Sequence, residues 1–216
     1  MKKLIIFDFF GTLAYFPKIN GFLLYLRLMF LGYDPLAKKD FKEHLKTFLS
    51  SSKSWEDLAE KIANCLGKET DERLVKLLQK TVKFKLYDEG RQILAYLRKE
   101  NHPVAILTNG GSFLFEDFTL PGVRIFTPQI TGWEKPHQNA FLYVLKAYGS
   151  APERTLMIGD SLTDVLPASA LKIEAFLLNK KEKMGWIYRE AYLTTEKCMV
   201  SFLYIKKLKE IKTCLF

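Results

Sequence analysis

The sequence has little that would place the protein outside the cell or in a membrane. Its three cysteines lie far apart without a Cys-x-x-Cys spacing, so we expect a reducing compartment and neither a disulfide framework nor a zinc knuckle. The apolar run after Lys2 and Lys3 spans four residues before Asp8, too few for a signal peptide. The longest later apolar stretch, residues 22–31, is too short for a membrane span and contains Arg27. We therefore expect a cytoplasmic protein with no membrane partner.

The sequence also lacks the arginine clusters and the interleaved aromatic and basic residues that mark nucleic-acid binding, although its formal net charge is +9. Basic residues are mixed with acidic ones, as in residues 206–210, which favours a solvated lysine-rich surface. A positive charge also attracts phosphate-bearing ligands. We expect a small, anionic substrate and no nucleic-acid partner. The sequence leaves open whether the protein is a monomer or a homodimer.

Four short apolar runs have the length and composition of strands buried on both faces of a parallel sheet. They are residues 4–7, 104–107, 155–158 and 175–178. Helical patterns accompany them at residues 90–99, 136–148, 163–171 and 201–212, and Pro136 stands at a favoured first helical position. Alternating strands and helices predict an α/β protein with a doubly wound, Rossmann-like parallel sheet.

The region from residue 15 to residue 85 breaks this alternation, because it has helical patterns and no strand pattern. Its predicted helices cover residues 22–30, 37–49, 55–66 and 71–82. Ser54 and Thr70 are the predicted N-caps of the last two helices. The sequence thus predicts a Rossmann-like core formed by residues 1–14 and 86–216, with an all-helical domain of residues 15–85 inserted into it.

Reactive or polar side chains follow three of the predicted strands. Asp8 comes directly after the first strand, Thr108-Asn109 after the second, and Asp160, with Asp164 four residues on, after the third. Lys135 precedes the next helical pattern. Open α/β sheets bind their ligands at the carboxyl ends of the strands. Four such coincidences in one chain therefore indicate a functional site.

These residues give the chain its resemblance to the haloacid dehalogenase (HAD) superfamily of aspartate-nucleophile hydrolases. Four motifs carry the resemblance, in the family's order and separation, across residues 1 to about 178. They are residues 8–13 (DFFGTL), 107–110 (LTNG), 135–137 (KPH) and 159–164 (GDSLTD). The inserted helical domain is similar to the cap that this family carries after its first motif. In the family, the cap closes over the nucleophile and sets the substrate choice.

The resemblance implies that Asp8 is the nucleophile and forms a covalent aspartyl intermediate. Thr108 would hydrogen-bond the transferring phosphoryl oxygen, and Asn109 would help to bind the substrate. Lys135 would offset the negative charge of Asp8 and of the substrate.

The resemblance also implies Mg²⁺ as the cofactor. Asp160 would hold the ion together with Asp8 and the backbone carbonyl of Phe10. Asp164 would support that metal site or bind Lys135. Carboxylate and carbonyl oxygens are the ligands that Mg²⁺ prefers.

Phe10 departs from the pattern of the family's phosphatases. They carry at this position an aspartate that protonates the leaving oxygen and then activates water, and phenylalanine cannot transfer a proton. A contribution of roughly 10²–10⁴-fold to the rate is therefore missing from this residue. Family members that cleave carbon–halogen bonds carry a non-acidic, often aromatic residue there. Those dehalogenases, however, lack the metal-binding aspartate that Asp160 matches.

The sequence therefore favours a Mg²⁺-dependent hydrolase of a small phosphorylated metabolite with a good leaving group. Two alternatives stay open: a 2-haloacid dehalogenase-like carbon–halogen hydrolase, and a weakly active or non-enzymatic family member that binds a phosphorylated ligand. The first function is preferred because a second metal carboxylate has no use in dehalogenation.

Overall fold

The structure is a computed structural model that describes residues 2–178, 188–192 and 199–214. The chain separates into two compact units. The core unit consists of Met1–Ala14, Leu86–Thr108 and Thr119–Phe216, and the helical unit consists of Tyr15–Lys85 and Asn109–Phe118. The sequence-based division assigned Asn109–Phe118 to the core. The function of the helical unit as a cap stays a prediction.

The described residues form nine strands. They are β1 (Leu4–Phe7), β2 (Ala14–Tyr15), β3 (Lys85–Leu86), β4 (Val104–Leu107), β5 (Val123–Phe126), β6 (Thr155–Gly159), β7 (Glu174–Leu178), β8 (Tyr188–Tyr192) and β9 (Met199–Ile205). The two-residue strands β2 and β3 pair with each other, and the other seven form one sheet in the core unit.

The described residues also form nine α-helices. They are α1 (Lys18–Phe30), α2 (Phe41–Ser51), α3 (Trp55–Cys65), α4 (Glu72–Thr81), α5 (Asp88–Lys99), α6 (Pro128–Thr131), α7 (Gln138–Tyr148), α8 (Leu162–Ala170) and α9 (Ile211–Cys214). Short 3₁₀ helices cover Ser112–Phe115, Pro152–Arg154 and Leu208–Glu210. Within the described part of the chain, none of the helices has the length and the apolar sequence that crossing a bilayer requires.

The seven-stranded sheet has the order β5-β4-β1-β6-β7-β9-β8, and all pairs are parallel except β8 with β9. The predicted α/β fold and its four strands are confirmed, because β1, β4 and β6 are buried at every residue and β7 at all but the first. Apolar side chains of α7 and α8 pack against them, including Phe141, Val144 and Val165. This packing fixes the strand ends that carry the polar residues.

Two predicted helices of the core unit are wrong in part. The pattern at residues 201–212 gives the end of β9 and only short helical turns from Leu208 onward. Its aromatic and branched residues suit a strand beside β7. The helix predicted from Pro136 begins at Gln138, after a cis Lys135–Pro136 peptide bond. His137 is its N-cap, since its Nδ1 accepts a hydrogen bond from the Asn139 N–H at 3.2 Å.

The caps of the helical unit correct one prediction and match another. Ser54 caps α3 as predicted, because its Oγ accepts from the Asp57 N–H at 3.2 Å. The cap of α4 is Asp71 rather than Thr70: its Oδ1 accepts from the Leu74 N–H at 2.9 Å, and a carboxylate also suits the positive end of the helix dipole. The helix predicted from residue 37 begins only at Phe41, since turns occupy the preceding residues.

Candidate active site

The carboxyl ends of β1 and β6 bring three carboxylates together. Asp8 follows β1, whereas Asp160 and Asp164 follow β6, and these two strands are parallel neighbours. One carboxylate oxygen from each residue lies within 4.8 Å of the others. Neighbouring parallel strands end at the same edge of the sheet, which explains why residues more than 150 positions apart meet there.

Lys135 joins two of these carboxylates. Its Nζ lies 2.6 Å from Oδ1 of Asp8 and 2.6 Å from Oδ1 of Asp164, and all three side chains are buried. A buried ammonium without a partner would cost several kcal/mol, so the two ion pairs offset its desolvation. With Asp160 included, three carboxylates face one ammonium, which leaves two formal negative charges in the cluster.

The buried charges shift each other's protonation. Burial raises the pKa of Asp8 from 3.8 to about 7, and the negative charges of Asp164 and Asp160 add to this, although Lys135 opposes it. Burial alone would lower the pKa of Lys135, but the attraction of Asp8 and Asp164 outweighs burial and holds that pKa above its usual range. Lys135 is therefore charged at neutral pH, and Asp8 holds its proton more strongly than an ordinary aspartate does.

Asp164 is held on both of its carboxylate oxygens. Oδ1 accepts from Lys135, and Oδ2 accepts from the backbone N–H of Ser161 at 3.1 Å. Ser161 and Asp164 together form the capping box that starts α8. Gly159 has no side chain, and a Cβ there would collide with the Asp164 carboxylate. Asp164 therefore binds Lys135, as one of its two predicted functions requires, and its support of a metal site stays a prediction.

Asp160 is exposed and lies against the backbone of Gly11. A Cβ at Gly11 would collide with the Asp160 carboxylate, and the φ angle of Gly11 is +92°, which disfavours any other residue. The glycine thus lets the loop after β1 and the carboxylate after β6 come close together. Gly11 and Gly159 stood within the first and last motifs, but the sequence did not show that each leaves room for a carboxylate.

The donor set suits a hard divalent cation. Asp8 and Asp160 provide carboxylate oxygens, Asp164 stands behind them, and the cluster has excess negative charge. All of these donors are oxygen atoms, the ligand type that Mg²⁺ prefers, and Asp160 is exposed to solvent. The residues therefore fit a magnesium ion, with no soft or nitrogen ligand among them.

Phe10 and Thr12 complete the loop after β1. The Phe10 ring packs edge-on against Phe9, with the ring centroids 4.9 Å apart. Because residue 10 is a phenylalanine, it offers no proton donor. The buried Oγ1 of Thr12 has no hydrogen-bond partner among the described residues. A buried hydroxyl in this condition commonly pairs with water or a ligand. Thr12 stood within the first motif, but sequence reasoning gave it no function.

The two remaining predicted residues lie at the end of β4. Thr108 is buried, and its backbone N–H donates to the Phe126 carbonyl at 3.0 Å, which fixes it beside the neighbouring strand. Asn109 begins the segment that belongs to the helical unit. Their functions in substrate binding stay predictions.

Comparisons with known proteins identify the family of the chain. A model of the family described as haloacid dehalogenase-like hydrolase matches residues 2–172. A phosphoglycolate phosphatase from Nitrosococcus oceani is 33% identical over 100 residues. That match spans 44% of this chain and 44% of the relative, so the chain matches less than half the length of this relative.

Solved structures of both chemical classes share the fold. A HAD phosphatase from Thermococcus onnurineus superposes with a TM-score of 0.68 at 20% identity and covers 100% of this chain and 98% of its own. A HAD family enzyme from Bacteroides thetaiotaomicron, in complex with magnesium and inorganic phosphate, superposes with a TM-score of 0.65 at 16% identity. The superposition covers 85% of this chain and 97% of the Bacteroides chain. The 2-haloacid dehalogenase from Pseudomonas syringae pv. Tomato superposes with a TM-score of 0.65 at 19% identity. The superposition covers 100% of this chain and 98% of the Pseudomonas chain. Because the family model covers most of the sequence, the chain belongs to the haloacid dehalogenase-like hydrolases.

Proposed function

We propose that this hydrolase cleaves a small phosphorylated molecule with Mg²⁺ bound between Asp8 and Asp160. The observation that most supports this proposal is the position of Asp160. Its carboxylate lies against Gly11 and within 4.8 Å of the Asp8 and Asp164 carboxylates. Displacing a halide from carbon needs a nucleophile but no divalent cation, so a second cation-binding carboxylate supports phosphoryl transfer. The phosphatase name of the Nitrosococcus relative supports the same choice.

The proposed reaction has two steps. An oxygen of the ionised Asp8 attacks phosphorus, the bond from phosphorus to the leaving oxygen breaks, and an aspartyl-phosphate forms. Lys135 and the Thr108 hydroxyl stabilise negative charge on the phosphoryl oxygens. Water then attacks the aspartyl-phosphate and restores Asp8 with release of inorganic phosphate.

Magnesium, when bound, supplies positive charge beside the transferring group. Asp8, Asp160 and the backbone carbonyl of Phe10 are its proposed ligands, with Asp164 in support. Lys135 alone cannot neutralise the cluster, because three carboxylates face its single ammonium.

Phe10 restricts the proposed substrate to phosphates with good leaving groups. An alkoxide leaves slowly unless it gains a proton, and Phe10 has none to give. Phosphoglycolate, the substrate named for the Nitrosococcus relative, is an alkyl phosphate of this kind. We therefore infer that aryl, enol or acyl phosphates are better substrates for this chain than alkyl phosphates. The helical unit, as the proposed cap, selects among them.

Burst kinetics test this proposal. Without a base to activate water, the aspartyl-phosphate forms faster than it is hydrolysed. An aryl phosphate with Mg²⁺ should give a burst of phenol roughly equal to the enzyme concentration, followed by slow turnover. Asp8→Asn should abolish the burst, and Glu43→Gln, an exposed change in the helical unit, serves as the matched control. Equal rates on aryl and alkyl phosphates without a burst would contradict the proposal.

A second candidate is carbon–halogen hydrolysis, which the aromatic Phe10 favours because halide needs no proton to leave. The dehalogenase from Pseudomonas syringae shares the fold. Release of chloride from 2-chloropropionate in the presence of a chelator would establish this reaction, and its absence would remove it. If neither phosphate nor halide is released and Asp8→Asn changes nothing, the chain is a ligand-binding family member instead.

A further inference from the structure

Helix α1 of the helical unit has an apolar stripe exposed to solvent. The exposed fractions are 65% for Phe22, 37% for Leu26, 47% for Met29 and 88% for Phe30, and Leu36 beyond the helix is 69% exposed. Positions 22, 26, 29 and 30 have the spacing i, i+4, i+7 and i+8, which places them on one helical face. Monomeric proteins usually expose large apolar residues singly, so a continuous stripe marks an interaction surface.

The opposite face of α1 is fixed inside the helical unit. Leu24 and Leu28 are buried there, and the Arg27 guanidinium donates a hydrogen bond from Nη1 to Oγ1 of Thr81 on α4 at 2.7 Å. Two faces of one helix are therefore apolar, but only one is used within the unit. Because α1 is held from behind, the exposed stripe is preformed and a partner need not order it.

The scarcity of charge in the stripe permits a second copy of the same chain as the partner. The chain has a formal net charge of +9, so two copies repel each other over most of their surfaces. Residues 22–31 contain one charged side chain, Arg27, and it is bonded to Thr81 on the other side of the helix. The stripe is thus a place where two positively charged copies can approach without bringing like charges into contact. An acidic partner would instead be drawn to the lysine-rich surface.

The area of the stripe is sufficient for self-association. With roughly 200 Å² for a phenylalanine side chain and somewhat less for leucine and methionine, the five exposed fractions give on the order of 500 Å² per copy. Two copies would bury on the order of 1,000 Å² together, which is the lower limit for a specific interface. Such a dimer is small, so its formation should depend on concentration.

We propose that two copies of this chain associate through their α1 stripes about a two-fold axis. In such an interface the same surface is used twice, so a residue near one end of the stripe contacts one near the other end in the partner copy. Leu26 lies midway between Phe22 and Phe30, and we place it next to the axis. Phe22 of one copy then packs near Phe30 of the other.

Sedimentation equilibrium tests the proposal on the full chain. The wild type should show a monomer–dimer equilibrium that added salt does not weaken, because salt screens the repulsion and leaves the apolar contact intact. Phe30→Glu should weaken dimerisation more than about tenfold, since it places two carboxylates in an apolar interface. Leu142→Glu is the matched control, because Leu142 is an exposed leucine on α7 of the core unit. Wild-type chain that stays monomeric at its highest soluble concentration would overturn the proposal.

Cross-linking tests the position of the axis and does not depend on Phe30→Glu folding normally. Leu26→Cys should give a covalent dimer on mild oxidation at a much higher yield than Leu142→Cys or the wild type, which contains native cysteines. Equal yields from all three would contradict the arrangement. Binding of the wild type to neutral lipid vesicles, lost in Phe30→Glu and without any dimer in solution, would overturn it in favour of a lipid surface.

Discussion

Two loops at the same edge of the sheet differ in the charges that they contribute. The loop after β1 carries one carboxylate, Asp8, and then Phe10, whereas the loop after β6 carries Asp160 and Asp164. Gly11 in the first loop and Gly159 at the end of β6 are positions at which a Cβ would collide with a carboxylate of the second loop. The second loop and Lys135 thus organise the charge of the site. The first loop carries the proposed nucleophile, Asp8, and no proton donor at position 10.

This difference separates two parts of catalysis. In the proposed reaction, holding a phosphoryl group and attacking it depend on Asp8 and the charged groups around it, which are present. Protonating the leaving oxygen and activating water depend on a second acidic group in the first loop, which is absent. We therefore expect the site to form its proposed covalent intermediate readily and to complete turnover slowly.

The largest expected effect is the gain from Phe10→Asp. A carboxyl group at this position would supply the missing acid and base, so turnover of an alkyl phosphate should rise by roughly 10²–10⁴-fold. Steady-state release of inorganic phosphate measures this. Phe10→Asn is the matched control, because it has the shape of aspartate but cannot exchange a proton at neutral pH. An equal gain in both variants would mean that the bulk of Phe10, and not its lack of an acid, limits turnover.

The next effect is the loss of stability in Lys135→Ala. Without the ammonium, Asp8 and Asp164 would face each other buried and uncompensated, at a cost of about 3–5 kcal/mol. Urea denaturation of the metal-free protein at about pH 8 measures this. Lys146→Ala, which removes an exposed lysine from α7, should have almost no effect.

The pH dependence of that loss has a definite sign. The folded pKa of Asp8 is already above its ordinary value of 3.8, and removing Lys135 raises it further. At pH values between 3.8 and the raised folded-state pKa of Asp8, the folded state holds a proton that the unfolded state has released. Stability therefore falls as the pH rises through this range. The destabilisation by Lys135→Ala should therefore be smaller at about pH 5 than at about pH 8. A loss that grows towards acid would contradict the raised pKa of Asp8.

A smaller effect should separate the two carboxylates of the second loop. Asp164→Asn should destabilise the fold by about 1–3 kcal/mol, because it disturbs a buried ion pair and the capping box of α8. Asp160→Asn should shift the denaturation midpoint less than Asp164→Asn does, since Asp160 is exposed, yet weaken Mg²⁺ binding by at least about tenfold. Calorimetric titration with Mg²⁺ and urea denaturation of both variants check this. Equal losses of metal affinity with no loss of stability would show that both residues act alike.

The smallest expected effect is the pH dependence of Mg²⁺ binding to the wild type. A magnesium ion that binds Asp8 must displace its proton, and the pKa of Asp8 is about 7. The apparent affinity should therefore rise by about tenfold per pH unit below 7 and level off above it. Calorimetric titrations over this range measure the slope. A flat profile would place the ion away from Asp8.

The sequence was sufficient for the centre of the fold because burial on both faces leaves a continuous apolar run. That is why β1, β4, β6 and β7 were predicted. Strand β5 was not, because it contains Arg124 and is buried at only one of its four residues. Strand β9 resembled a helix, since an apolar segment of this length suits either structure until its neighbour is known.

The candidate site divides in the same way. Asp8, Thr108, Lys135, Asp160 and Asp164 were identified from their positions next to strands and helices, which is local information. The ion pair of Asp164 with Lys135 and the close approach of Asp160 to Gly11 depend on segments far apart in sequence. The cytoplasmic location and the metal ligands stay predictions.

The most direct test of the account is to locate the phosphoryl group during the reaction. Enzyme mixed with Mg²⁺ and an aryl phosphate is quenched in acid after the burst, digested and examined by mass spectrometry. The account predicts a phosphoryl group on Asp8, present in the wild type, much reduced in Phe10→Asp and absent in Asp8→Asn. An unmodified Asp8 peptide at the time of the burst, with phenol already released, would contradict it.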